Sequence, residues 1–160
     1  MQKITVAAAG KIKEKYFTQA VEEYSKRLSR YCRLEIAEVT DEKTPDDAGQ
    51  REEEMIREKE GARLLKVIPD SAFCVVLAID GSRMSSVELA EWIGKKASEG
   101  VSHICFVIGG SLGLSPAVMK RADLSLSFSD MTFPHQLMRV ILLEQIYRSF
   151  RIINHEPYHK

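Results

Sequence analysis

At 160 residues, 44% apolar and 29% charged, the chain has the make-up of a single soluble domain with a substantial core, and residues 1–160 read as one domain. Its 23 basic and 23 acidic residues cancel, which excludes nucleic-acid binding by bulk charge and leaves room for a local basic patch. Three separated cysteines, Cys32, Cys74 and Cys105, argue against a disulfide framework or a zinc site, and no signal peptide or membrane-length apolar run is present, so a cytoplasmic location is expected.

Lys3 to Ala9 is a β-prone opening strand closed by Gly10. Lys13 to Arg30 has helical spacing, with Tyr16, Phe17, Ala20, Val21, Tyr24 and Leu28 on one broad face. Arg33 to Val39 alternates as a half-exposed strand does, and Thr40 to Gln50 is a loop rich in Asp, Pro and Gly. A charged helix, Arg51 to Val67, turns Met55, Ile56, Leu64 and Leu65 to the core, and its charge run reads as a solvated face. Ala72 to Ile79 is an unbroken apolar run, as in a strand covered on both sides, with a turn at Asp80-Gly81-Ser82. Ser85 and Glu88 form a capping box for a helix ending near Gly100. His103 to Ile108 is a second buried strand, followed by Gly109-Gly110-Ser111-Leu112-Gly113. Ser115-Pro116 opens a short helix, and Leu124 to Phe128 is the last strand. Strands alternating with helices predict an α/β protein with a mainly parallel sheet and helices on both faces. Ligands bind such sheets at the carboxyl ends of strands, which here are residues 78–81, 108–110 and 128–130.

The stretch from Phe128 to Tyr147, FSDMTFPHQLMRVILLEQIY, carries the strongest signal. Thr132 is a candidate cap and Phe133-Pro134 suits a helix start, with the helix running to about Asn154. At ~100° per residue, His135, Arg139, Leu142, Ile146, Phe150 and Ile153 share one face, and Glu144, Arg148 and Arg151 another. Arg139 therefore lies in line with the apolar stripe, where a charge needs a buried carboxylate, a subunit boundary or a ligand. The GGSLG loop lacks the Lys-Ser/Thr of a P-loop and the spacing of a dinucleotide fingerprint; it fits either close approach of a flat ligand or a tight turn into Ser115. No GxSxG elbow is present, and no pair of ligands falls at metal-binding spacing. The first 33 residues hold eight Lys/Arg against three Glu, whereas residues 34–60 are acidic.

VIGGSLGLS (Val107 to Ser115), LSFSDMTFPHQLMR (Leu126 to Arg139), LLEQIYR (Leu142 to Arg148) and EPYHK (Glu156 to Lys160) closely resemble one family. GKIKEKY (Gly10 to Tyr16) and KEGARLL (Lys59 to Leu65) extend the likeness over the whole chain. The family is the ribosomal RNA large subunit methyltransferase H group of the SPOUT class, which methylates N3 of a pseudouridine in 23S rRNA. The resemblance implies an α/β sheet with a C-terminal deep trefoil knot and S-adenosylmethionine bound there. Its cofactor positions carry over to Leu77, Gly109, Phe128, Ser129, Asp130, Met131, Thr132 and Phe133. It implies a homodimer in which the second subunit completes each site, in keeping with Met138, Ile141 and Ile152 pointing off the main stripe. His135 or His159 would take the base proton, Arg139 would hold a phosphate or offset charge on the uracil oxygens, and Tyr158 would stack beside the base. Lys11, Lys13 and Lys15 would contact RNA phosphates, with no metal involved. Two positions depart from the commonest pattern: Asn154-His155 replaces Arg-Gly, and Asp130 replaces a lysine or small residue. The competing expectations are a nucleotide-binding α/β enzyme of another class and a ribosome-binding protein without catalysis.

Overall fold

A computed structural model of the chain describes residues 1–160. Five strands alternate with five helices: β1 (Lys3–Ala9), α1 (Lys15–Leu28), β2 (Arg33–Val39), α2 (Gln50–Val67), β3 (Phe73–Arg83), α3 (Ser86–Ser98), β4 (His103–Ile108), α4 (Pro116–Arg121), β5 (Leu124–Ser127) and α5 (His135–Ile153). The strands form one sheet in the order β2-β1-β4-β3-β5, with every pairing parallel. β1 and β4 are the most enclosed, as their unbroken apolar sequences require when helices cover both faces.

Side-chain alternation divides the core in two. Ile4, Val6, Ile104 and Phe106 face the layer of α1, α3 and α5, where they meet Leu28, Leu89, Ile93, Leu142 and Ile146. Ala7, Ala9, Cys105 and Val107 face the opposite layer, where α2 and α4 contribute Leu64 and Val118. Each fully buried Leu or Ile stabilises the fold by about 1.5–3 kcal/mol. Cys32, Cys74 and Cys105 are all buried free thiols. No helix is long and apolar enough to cross a membrane.

Three details differ from the sequence expectations, and two of them shape the ligand site. β3 does not end at Ile79. It shifts register between Leu77 and Ser82, so that Leu126 of β5 pairs with both, and it runs on to Arg83. Gly81 permits this bulge, since a Cβ there would stand 2.7 Å from the Ser125 carbonyl carbon. α5 begins at His135 with Pro134 as its N-cap and no side-chain cap, so Thr132 does not cap it. α1 begins at Lys15, which leaves Lys11 and Lys13 on the loop from β1.

Candidate functional site

A cavity of about 950 Å³ opens at the carboxyl ends of β3, β4 and β5. Three loops bound it: 77–80 from the β3 bulge, 109–114 after β4, and 128–135 between β5 and α5. Leu77, Gly109, Phe128, Ser129, Met131, Thr132 and Phe133 all line it, together with Met119, Met138 and His135. Its wall is therefore mostly apolar, with hydroxyls and main-chain groups at intervals.

The glycine loop forms the tight turn into Ser115. Gly113 has φ +81° and donates its N–H to the Gly110 carbonyl at 3.0 Å, closing a tight turn. Gly109 packs so closely on that turn that a Cβ would stand 2.7 Å from the Gly113 carbonyl carbon. Ser115 then caps α4, its Oγ accepting the Val118 N–H at 3.3 Å.

His135 occupies the cavity edge at the first turn of α5, half-buried, and its Nδ1 is enclosed without a hydrogen-bond partner. Burial, reinforced by the nearby Arg139 charge, holds the imidazole below the usual histidine range, with Asp41 acting in the opposite sense. The ring is thus neutral near pH 7.

Arg139 does not line the cavity. It lies one turn deeper and fully buried, donating from Nη1 to Glu38 Oε2 at 2.5 Å and from Nη2 to the Gly10 carbonyl at 3.1 Å. Of the sequence readings for this misplaced charge, the geometry matches a core arginine paired to a carboxylate. The phosphate contact and the offset of charge on the uracil oxygens have no route within one chain. The same Glu38 oxygen accepts the Ile12 N–H, and the Lys13 N–H donates to Gln136 Oε1. This network docks the loop carrying Lys11 and Lys13 against the start of α5; these two and Lys15, the first residue of α1, are all exposed.

The remaining candidates lie off the cavity. Asp130 is exposed and paired with Arg83 of β3. Tyr158 packs edge-on against Tyr147 at 5.0 Å, and its hydroxyl donates to Glu144 Oε1 at 3.1 Å. His159 Nδ1 lies 3.2 Å from Arg148 Nη1. Glu144 is nine residues beyond His135, or ~14 Å along the helix, so one chain does not bring Tyr158 and His159 to its own cavity. No group of three His, Cys, Asp or Glu is close enough to hold a metal ion.

Sequence reasoning missed Glu60, which sits in the charge run of α2 yet is buried against the glycine loop. A signal was present: Glu60 lies four residues from both Ile56 and Leu64, on the apolar stripe of its helix. It also missed Asp41, which lies beside Gly10 and within the electrostatic reach of His135, because nothing in its loop sequence points there.

A family profile described as "Predicted SPOUT methyltransferase" matches residues 2–159. The protein named ribosomal RNA large subunit methyltransferase H from Clostridium kluyveri is 60% identical over 157 residues, covering 98% of this chain and 99% of its own length. The protein of the same name from Bifidobacterium adolescentis is 59% identical over 158 residues, covering 99% of each. A solved structure of a probable methylase family protein from Haemophilus influenzae superposes with a TM-score of 0.56 over 98% of this chain and 70% of that one. At 12% identity it speaks to the fold alone.

Proposed function

This chain belongs to the ribosomal RNA large subunit methyltransferase H group of the SPOUT family, and from that premise we propose that it methylates N3 of a pseudouridine in 23S rRNA, using S-adenosylmethionine. The observation that carries the reading is the cavity at the ends of β3, β4 and β5, with the half-buried His135 imidazole at its edge.

The cavity suits the cofactor in size and chemistry. Leu77, Phe128 and Met119 offer an apolar bed, Gly109 and Gly110 line it with main-chain groups, and Ser129 and Thr132 supply hydroxyls. Met131 and Phe133 border the same space, while Asp130 would act from outside it through Arg83. When bound, S-adenosylmethionine supplies an electrophilic methyl group on a sulfonium.

The chain's own part is positioning and proton handling. Holding the target nitrogen in line accounts for much of the expected rate. N3 of the base is an imide and must lose its proton; the neutral His135 imidazole at the cavity edge would accept it. Arg139 keeps the first turn of α5 fixed to Glu38 and Gly10, so its contribution runs through His135. Lys11, Lys13 and Lys15, beside that turn, are suited to RNA phosphates.

A homodimer belongs to the same reading. Leu137, Val140 and Ile141 on the outer side of α5 are only half-buried, and a second subunit is the means by which Tyr158 and His159 would reach a cavity. The deep trefoil knot and the cytoplasmic setting of a ribosomal substrate follow from family membership in this proposal.

Mass mapping of 23S rRNA tests it. Ribosomes from cells lacking the protein should gain one methyl group, on a pseudouridine, when incubated with the protein and S-adenosylmethionine. An unchanged map, or a methyl group on another base, overturns the assignment. So does equal activity on a naked hairpin, because a domain this small relies on the assembled particle for shape.

A further inference from the structure

Glu60 is a buried acid for which methyl transfer, as described, has no use. It is 3% exposed. Its Oε2 accepts the Glu42 main-chain N–H at 2.8 Å, while its Oε1 is enclosed and has no partner. That second oxygen lies beneath the glycine loop: a Cβ on Gly110 would stand 2.9 Å from it. Gly110 in turn lines the cavity.

No cation contacts Glu60. Lys59 and Arg63 both reach the Glu42 carboxylate, and Arg57, one turn earlier on α2, points to the Leu112 carbonyl. The charged groups facing it are Asp41 and Glu42 from the β2–α2 loop and Arg63 from its own helix; the glycine loop offers none. Burial is the main influence and pushes the carboxyl above the ordinary glutamate range. The Glu42 amide opposes this, the Asp41 and Glu42 charges add to it, and Arg63 subtracts a little.

We propose that Glu60 is a positioning residue for the cofactor loop, bracing Gly110 from below with one carboxyl oxygen while the other anchors the β2–α2 loop through Glu42, so that a charge on Glu60 weakens cofactor binding. An ionised oxygen with no partner in so enclosed a place draws in water or displaces its neighbours, and Gly110 is among those neighbours. The inference rests on the methyltransferase reading only in naming S-adenosylmethionine as the ligand.

Calorimetric titration with S-adenosylmethionine, from about pH 5 to about pH 9, compares wild type with E60Q and E60A, alongside thermal unfolding of each. Wild type should lose about tenfold in affinity across the range, a one-unit coupling between ionisation and binding. E60Q keeps the shape and the acceptor for the Glu42 amide without the charge, so it should match wild type in acid and hold that affinity in base. E60A should bind about tenfold more weakly throughout, the cost of losing one hydrogen-bonded brace. Titration of His135 and of the ligand is common to all three proteins and cancels in the comparison. The proposal is overturned if E60Q follows the wild-type pH dependence, if E60Q binds as weakly as E60A, or if wild-type affinity is flat. Absence of wild-type binding at every pH instead overturns the methyltransferase reading, and this one with it.

Discussion

At the N-terminal end of α5, His135 Nδ1 and Arg139 Nε are buried without hydrogen-bond partners and no side chain caps the helix, whereas at the C-terminal end nearly every charge is netted. There Arg148 pairs with Glu144, Arg151 pairs with Glu156 and reaches the Tyr31 hydroxyl, and Tyr158 donates to Glu144. Arg148 also lies 4.7 Å from the Tyr158 ring centroid. Leaving a buried polar group unpaired costs about 1–3 kcal/mol. In hydrogen bonding the N-terminal end is open and the C-terminal end closed. The unpaired atoms at the N-terminal end are enclosed, so what that end offers a ligand is the cavity edge at His135. Arg151 Nε, also unpartnered, is the one breach of the pattern at the closed end.

The largest effect should come from His135. Replacement by Asn removes the proposed proton acceptor, and methyl transfer to ribosomes should fall by about 10²–10⁴-fold with cofactor affinity nearly kept. A loss of affinity with turnover unchanged would make His135 a binding group. The pH dependence is a second check. Because folding depresses the imidazole, the unfolded chain takes up the proton more readily, so this residue's stabilising contribution is complete above the ordinary histidine range and declines as pH falls below it. Turnover should fall on the same acid side as the ring charges.

Arg139→Ala comes next. It strips the partner from Glu38 and the donor from the Gly10 carbonyl. Removing one member of a buried pair costs about 3–5 kcal/mol, and the partly open Glu38 side chain brings that to about 2–4 kcal/mol in denaturant unfolding. Turnover should fall with it because the turn bearing His135 loses its anchor. A fully stable variant that binds cofactor and has no activity would return Arg139 to substrate contact.

These two residues also mark what the sequence could and could not reveal. Helical spacing exposed Arg139 as a charge on an apolar stripe, but its partner is 101 residues earlier, at Glu38 of β2, and nothing local in either segment links the two. The apolar character of β1 and β4 and the near-alternation of β2, broken only at Ile36-Ala37, placed those strands to the residue. β3 outran its apolar stretch because Asp80 and Gly81 belong to a bulge that rejoins β5, a pairing no local pattern encodes. The three loops round the cavity were legible from the rule that strand ends bind ligands, and seven of the eight positions carried over from the family resemblance line it. Asp130 is the exception because Arg83, at the far end of the unforeseen β3 extension, holds it outside.

The lysine loop docks on the open end through the Lys13 N–H to Gln136 and should show a smaller effect. Changing Lys11, Lys13 and Lys15 to Gln should weaken ribosome binding and shallow its salt dependence, by up to roughly 0.7–0.9 in log–log slope for each phosphate no longer neutralised. An unaltered slope would remove these residues from the RNA surface.

The smallest effect on stability is expected from Tyr158→Phe, and it separates the two ends most sharply. The ring keeps its place against Tyr147 and loses one hydrogen bond, while Glu144 retains Arg148, so unfolding should shift by only about 0.5–1.5 kcal/mol. If the closed end merely ties down the tail, turnover falls no further than that. If a second subunit carries Tyr158 to the open end of its partner, turnover falls well beyond it. Mixing His135→Asn with Tyr158→Phe proteins distinguishes the cases. In a shared-site dimer, a mixed pair contains one cavity with both residues intact, and activity returns. In a self-contained subunit every cavity keeps one defect, and mixing restores nothing.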